Sequence, residues 1–213
     1  FVDNKMEEIR DRISKSIDFI LFMTIGCGFG IAGVAKILVP LFLGKGYDQV
    51  ITLLYIFAPI ITIIGISNCL GSQYYTPSGR RNDSTKYLLC GSAVNLILNL
   101  CLIGKYGANG AAFASVVAEL SITFLYVKNC NGFMKLGNLL RCMYKKIVAG
   151  LLMFFVVIGL ENYLHVSKLM ILICQVVIGI ATYLIALMIE KDEWMLIELR
   201  RGVLYFKNKK GRS

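Results

Sequence analysis

Six blocks of about twenty largely apolar residues run along the chain, at roughly 17–43, 50–72, 87–103, 107–127, 147–164 and 169–189. About 20 such residues in a helix cross the ~30 Å hydrocarbon core of a bilayer. Lipid offers the backbone no hydrogen-bond partner, so a segment that satisfies its own N–H and C=O groups is required, and a helix does this. The blocks therefore predict an all-α integral membrane protein with six transmembrane helices. Composition agrees: 57% of the 213 residues are hydrophobic, above the roughly 45–50% of soluble domains. The expected organisation is an amphipathic cytoplasmic segment over 1–16, a six-helix bundle over 17–189, and an interfacial helix with a basic tail over 190–213. No room is left for a separate soluble domain.

A net charge of +10 would suit a nucleic-acid binder, but its distribution excludes that reading. Nineteen of the 23 Lys and Arg residues fall on one side of the expected topology: before the first span, around Arg80, between Lys128 and Lys146, and from Lys191 onward. Three lie on the other side, at Lys45, Lys105 and Lys168, and Lys36 lies inside a span. Short loops rich in Lys and Arg stay cytoplasmic. Both termini are therefore expected in the cytoplasm, which six spans allow. Phe1–Ser16 lacks the short basic region, apolar core and cleavage site of a signal peptide. A start at Phe1 rather than methionine raises the expectation that a longer protein precedes this segment. Tyrosines at span ends, among them Tyr74, Tyr75, Tyr87 and Tyr126, read as an interfacial aromatic belt.

The stretch Asn95–Leu120 departs most from a plain apolar span. Asn95 and Asn99 are one helical turn apart and share a face. Gly107, Ala111, Ser115 and Glu119 continue at the same spacing, and Gly110, Ala114 and Ala118 form a second row. Small residues at this interval let helix backbones approach closely, and the GKYGANG segment suits a tight reversal. A close-packed antiparallel helix pair is expected. Gly26 and Gly30 form a further small-residue pair for helix packing. The two asparagines either line an aqueous cavity or bond a neighbouring helix. Glu119 is a costlier residue to insert, by roughly 2.5–3.5 kcal/mol at a helix centre, and is a candidate for coupling or gating. Lys36 either snorkels to the surface or faces a cavity to meet an anionic substrate, and we favour the cavity. Asn68, Gln73 and Gln175 are weaker candidates of the same kind. Pro59, mid-span, removes a backbone hydrogen bond and invites a kink.

No catalytic residue set is legible: there is no phosphate-binding glycine loop, no metal-ligand cluster, and no nucleophile with a base. Seven scattered cysteines, with no C-x-x-C pair, read as small hydrophobes rather than a disulfide or zinc framework. Neither an enzyme, a metal nor a cofactor is expected. Short outer loops further disfavour a membrane glycan polymerase.

Three motifs carry a family resemblance. Pro40-Leu-Phe-Leu-Gly-Lys-Gly-Tyr47 resembles the end of the seventh helix of polysaccharide-unit flippases. Gln73-Tyr-Tyr-Thr-Pro-Ser-Gly-Arg80-Arg81 is similar to their loop after the eighth helix. Asn95 to Ala112, with Glu119 beyond it, resembles their signature "N-x-x-x-N-x-x-L-I-P-x-x-G-x-x-G-A-A", with Gly104 at the usual proline position. These flippases belong to the multidrug/oligosaccharidyl-lipid/polysaccharide exporter superfamily, which includes the MATE drug exporters. The resemblance implies one half of a MATE-like two-half transporter that moves an undecaprenyl-diphosphate-linked oligosaccharide across the bacterial inner membrane. It implies as partners the lipid-linked oligosaccharide, membrane lipids, an N-terminal half or second chain, and polysaccharide assembly proteins. A MATE-like drug or cation antiporter and a non-transporting scaffold subunit remain the alternatives.

Overall fold

The computed structural model describes residues 2–134, 136–163, 166–192 and 194–196. Most of the interfacial helix and tail expected over 190–213 lies outside the described residues, as does His165. Helix α1 (Val2–Phe42) runs unbroken for 41 residues, about 60 Å at 1.5 Å per residue. It is therefore about twice as long as a bilayer core is thick, and the amphipathic 1–16 segment is simply its first turns. Those turns carry the exposed pairs Arg12–Glu8 and Lys15–Asp11, both at 2.6 Å, at the i,i+4 spacing that supports a helix in water.

The second crossing is built from α2 (Asp48–Phe57) and α3 (Ile60–Leu70), continued by a π-helical turn over Gly71–Tyr75. Pro59 has no N–H to give, and the helix breaks there as its sequence predicts. At that break a Cβ on Gly28 of α1 would lie 2.8 Å from the Ala58 carbonyl oxygen. Glycine is what lets α1 pass the broken turn.

Helix α4 (Arg81–Lys128) spans 48 residues but is not one rod. Gly107 takes φ 54 and ψ −132, which reverses the chain between two legs, 81–106 and 108–128. Contacts pair antiparallel across the reversal: a Cβ on Gly110 would meet the Leu102 oxygen at 2.7 Å, and one on Gly91 would run into the Ile122 side chain. The row Gly110, Ala114 and Ala118 is buried, while Ala111, Ser115 and Glu119 are half-buried. Helices α5 (Leu136–Tyr163) and α6 (Lys168–Ile189) complete the bundle. Among the described residues five helices are thus long and apolar enough to cross a membrane, and the reversal in α4 makes six crossings. α5 begins eleven residues before the expected fifth span at 147, so much of the supposed loop before Lys146 is helix.

Two cores share α1. Ile13, Ile17, Leu21 and Ile25 pack with α3, the π-helical turn and the second leg of α4. On another face of α1, Phe22 and Val34 pack with α5 and α6. Gly26 and Gly30 serve this second core, against Tyr183 of α6 and Met153 of α5. Large apolar side chains such as Leu96, Leu100, Phe155 and Val177 point outward, as the outer surface of a bundle solvated by lipid requires. One end of the bundle holds the start of α1 and the close of α6 (the terminal end); Gly107 lies at the other (the hairpin end).

The positive φ and strongly negative ψ of Gly107 form a combination open essentially to glycine. Gly107→Ala should lower stability by about 1–3 kcal/mol, read by thermal unfolding in detergent. Gly104→Ala, at a helical site with open space around a Cβ, should leave the melting temperature unchanged. Equal melting temperatures for both variants would contradict the reversal.

Candidate polar cavity within the membrane spans

Between α3, the π-helical turn and the two legs of α4 lies a cavity of ≈ 510 Å³. Its polar lining comes from Ser67, Asn68, Ser72, Thr76, Ser84, Glu119 and Tyr126. Lone serines and threonines fit inside a helical span by donating to their own helix. Ser67 donates to the Ile64 oxygen at 3.1 Å, Ser72 to Cys69 at 3.2 Å and Thr76 to Gly71 at 2.8 Å. Each hydroxyl hydrogen is thereby spent, and the remaining oxygen lone pairs make the wall rich in acceptors. Ser84 and Tyr126 hydrogen-bond one another across the legs. Glu119 makes no hydrogen bond or ion pair among the described residues. The cavity lining holds one carboxylate and no basic side chain.

π-helical turns inside helices occur frequently at functional sites, and this one and the α3 helix before it are tied to the second leg of α4. Tyr75 donates to the Tyr126 carbonyl at 2.9 Å, while Thr123 donates to the Ile63 oxygen at 3.0 Å. Below the cavity, the Arg80 guanidinium binds the Asp83 carboxylate at 2.9 Å, the Tyr74 hydroxyl at 3.0 Å and the Asn129 carbonyl at 2.9 Å. It also lies over the rings of Tyr74 and Tyr75. The hydrogen bond to Asp83 raises the Arg80 pKa further, so its charge is permanent. Tyr74, Tyr75 and Tyr126 are buried and Tyr75 meets both others edge to face, with Tyr75–Tyr126 centroids 4.8 Å apart. They are not belt residues facing headgroups, as their position at span ends suggested. Tyr47, Tyr106 and Tyr144 do remain exposed.

Of the sequence candidates, Asn68 and Glu119 come together in the cavity. Asn95 and Asn99 instead form a second cluster between the legs of α4. Asn99 donates to the side-chain oxygen of Asn95 at 2.6 Å and to its backbone oxygen at 2.9 Å, and Asn95 reaches Ser115 at 3.5 Å. Gln73 is exposed on the π-helical turn, outside the cavity lining. Lys36 is exposed on α1, six residues before its end, and stands apart from both clusters. Ser84, Tyr126 and Arg80 were not anticipated as neighbours of the cavity. Their signal is weak in sequence, because 42 residues separate Ser84 from Tyr126.

A buried charge cluster at the terminal end is of another kind. Lys146, 1% exposed, binds Asp18 at 2.6 Å and Asp192 at 2.9 Å, so one ammonium ties α1, α5 and the segment after α6. Asp192 also accepts from the backbone N–H of Met195 at 3.2 Å. This triad is satisfied internally, whereas Glu119 faces a cavity. Among the described residues no group of His, Cys, Asp and Glu is placed to hold a metal ion.

The comparisons with known proteins agree with this picture at a coarse level. The chain is 29% identical over 108 residues to a "Putative O-antigen transporter" of Escherichia coli K12, covering 51% of this chain and 25% of that protein. It is 28% identical over 126 residues to an "Uncharacterized membrane protein MJ1068" of Methanocaldococcus jannaschii, covering 56% of this chain and 25% of the relative. Each match thus spans about a quarter of the curated relative's length. No family model matches the chain, and no solved structure matches it. The chain is a multi-pass membrane protein distantly related to a transporter-like family.

Removing one partner of a buried ion pair leaves uncompensated charge, at a cost of about 3–5 kcal/mol. Lys146→Met should therefore destabilise the protein by that order in thermal unfolding. The combined change Asp18→Asn, Lys146→Met, Asp192→Asn should recover most of the loss, since no charge is then left buried. A triple variant as unstable as Lys146→Met alone would contradict this role.

Proposed function

We propose that the chain is one half of a transporter that moves a lipid-linked oligosaccharide across the bacterial cytoplasmic membrane, on a MATE-like fold of the multidrug/oligosaccharidyl-lipid/polysaccharide exporter superfamily. The observation that carries this reading is the similarity to the putative O-antigen transporter, extending over 51% of the chain. A polar cavity walled by three of the crossings, with Asn68, Ser72 and Thr76 exposed on it, supports it, because polar residues in lipid are costly unless they line a pathway or pair with one another. The second half would be an N-terminal segment of the same protein or a second chain. The two halves would rock about a site between them, in alternating access. Both termini would be cytoplasmic, so the terminal end of the bundle, where Thr76 and Ser84 lie, is the cytoplasmic one.

In this reading the lipid carrier is undecaprenyl diphosphate, and its tail stays in the bilayer. Lys36, exposed and without an ion pair among the described residues, attracts the diphosphate or acidic sugars in a low-dielectric setting where a cation acts strongly. Glu119 is the gating or coupling group, and Asn68 with the hydroxyls around it hydrates the pathway. The chain needs no cofactor and catalyses no covalent step. A second reading, a cation or drug antiporter, is favoured by one observation: among the described residues, the charged group on the cavity wall is a carboxylate.

The test is a host depleted of this transporter and complemented with variants, in which surface polysaccharide and cytoplasm-facing lipid-linked sugar are measured together. Lys36→Gln should cut surface polysaccharide about tenfold and raise the lipid-linked intermediate, with protein level unchanged. Glu119→Gln should slow delivery to a similar degree. Normal surface polysaccharide in both variants would overturn the flippase reading. If Glu119→Gln instead raises sensitivity to cationic drugs while polysaccharide stays normal, the antiporter reading takes its place.

A further inference from the structure

At the terminal end, α1, the linker after α4 and the start of α5 enclose a pocket of ≈ 250 Å³. It lies where α1 changes character. The exposed pairs Arg12–Glu8 and Lys15–Asp11 belong to its first turns, whereas residues 19–35 carry no charge. The pocket therefore sits at the boundary between water and lipid, the depth of the headgroup region. Trp194, whose ring lies 5.5 Å from that of Phe19, marks the same depth, since tryptophan gathers at membrane interfaces.

The pocket wall carries both signs of charge. Arg10 lines it, with its guanidinium 5.6 Å over the Phe133 ring. A guanidinium lying on an aromatic face keeps its in-plane N–H groups for a forked contact with a phosphate or carboxylate. Glu8 and Asp11 are engaged by Arg12 and Lys15, and Arg10 makes no ion pair among the described residues. Ser14 and Asn138 line the pocket as well. Their side chains make no hydrogen bond among the described residues, and both have hydrogens to donate.

Asp18 is the opposite pole. It lines the same pocket, two turns further along α1 and about 12 Å from Arg10 at 1.5 Å per residue. It binds Lys146 at 2.6 Å with 19% of its side chain exposed, and a carboxylate can accept from several donors at once. A simple anion would suit Arg10 and be repelled by Asp18; a simple cation would meet the reverse. A phosphate tethered to an amine suits both.

We propose that this pocket binds the zwitterionic headgroup of a membrane lipid, with its phosphate at Arg10, Ser14 and Asn138 and its primary ammonium at Asp18. Depth selects a lipid over a soluble zwitterion. The site is separate from the polar cavity and does not depend on what that cavity transports.

The test is native mass spectrometry of the full chain in detergent, titrated with phosphatidylethanolamine, phosphatidylcholine and phosphatidylglycerol of the same acyl chains. The choline lipid has no N–H on its amine, and the glycerol lipid has hydroxyls in place of the amine. One phosphatidylethanolamine per chain should bind at least about tenfold more tightly than either, roughly the worth of one charge-assisted hydrogen bond. Arg10 and Ser14 are both exposed, so substitution there should leave the lipid-free melting temperature near that of the parent chain. Arg10→Gln, which removes the fork, and Ser14→Leu, which fills the pocket, should each reduce phosphatidylethanolamine to the level of the other two lipids. Glycerophosphoethanolamine, the headgroup without its chains, should fail to displace the lipid at equal concentration. Equal binding of the three lipids, or a tight site that survives both substitutions, overturns the proposal. Phosphatidylglycerol bound as tightly as phosphatidylethanolamine would mean a plain anion site, and displacement by the chain-free headgroup a site for a soluble ligand; either result overturns it too.

Discussion

Hydrocarbon supplies no hydrogen bonds, and every irregularity of this chain is arranged around that fact. A broken helix in lipid exposes backbone groups that nothing outside the protein can satisfy. The breaks at Pro59, at the π-helical turn and at Gly107 are accordingly placed against other parts of the chain or at the end of a crossing. Gly28 presses α1 onto the Pro59 break. Tyr75 and Thr123 stitch the region of the π-helical turn to α4. The reversal at Gly107 falls at the hairpin end, where water is available. α1 makes these supports possible because its two apolar faces serve two cores at once.

Charge follows the same logic, with two outcomes. Lys146 brings two carboxylates to one ammonium and leaves no donor of its own unused, which fixes three segments at the terminal end. Glu119 has no such partner and borders a cavity instead. A group that has spent its charge on its neighbours holds a fold together, and one that has not is available to a solute or proton. That contrast, more than the number of polar residues, separates scaffold from candidate site.

Much of this was legible in the sequence, where local spacing carries the information. Apolar blocks gave the crossings, and the rows through Gly110 and Ser115 with the glycines of 104–110 located the antiparallel pair. What failed was information held between distant residues. Lys146 reads as one more loop cation, because Asp18 and Asp192 lie 128 and 46 residues away. Tyr74, Tyr75 and Tyr126 read as an interfacial belt, because a tyrosine at a span end looks the same whether it faces headgroups or Arg80. Asn68 and Glu119 were singled out as polar residues in apolar blocks, but not that they share one cavity.

The claim on which the functional reading rests is that water reaches the polar cavity inside the membrane. Cysteines placed at Asn68, at Ser72 and at the lipid-facing Leu96 would be treated, in vesicles open at either face, with a membrane-impermeant maleimide that reacts only with a hydrated thiolate. The unsubstituted chain, whose native cysteines set the background, would be the reference. Labelling of Asn68→Cys and Ser72→Cys well above that background, with Leu96→Cys at background, is the expected result. Asn68→Cys and Ser72→Cys as unreactive as Leu96→Cys would mean that the cavity is dry, and would contradict the account.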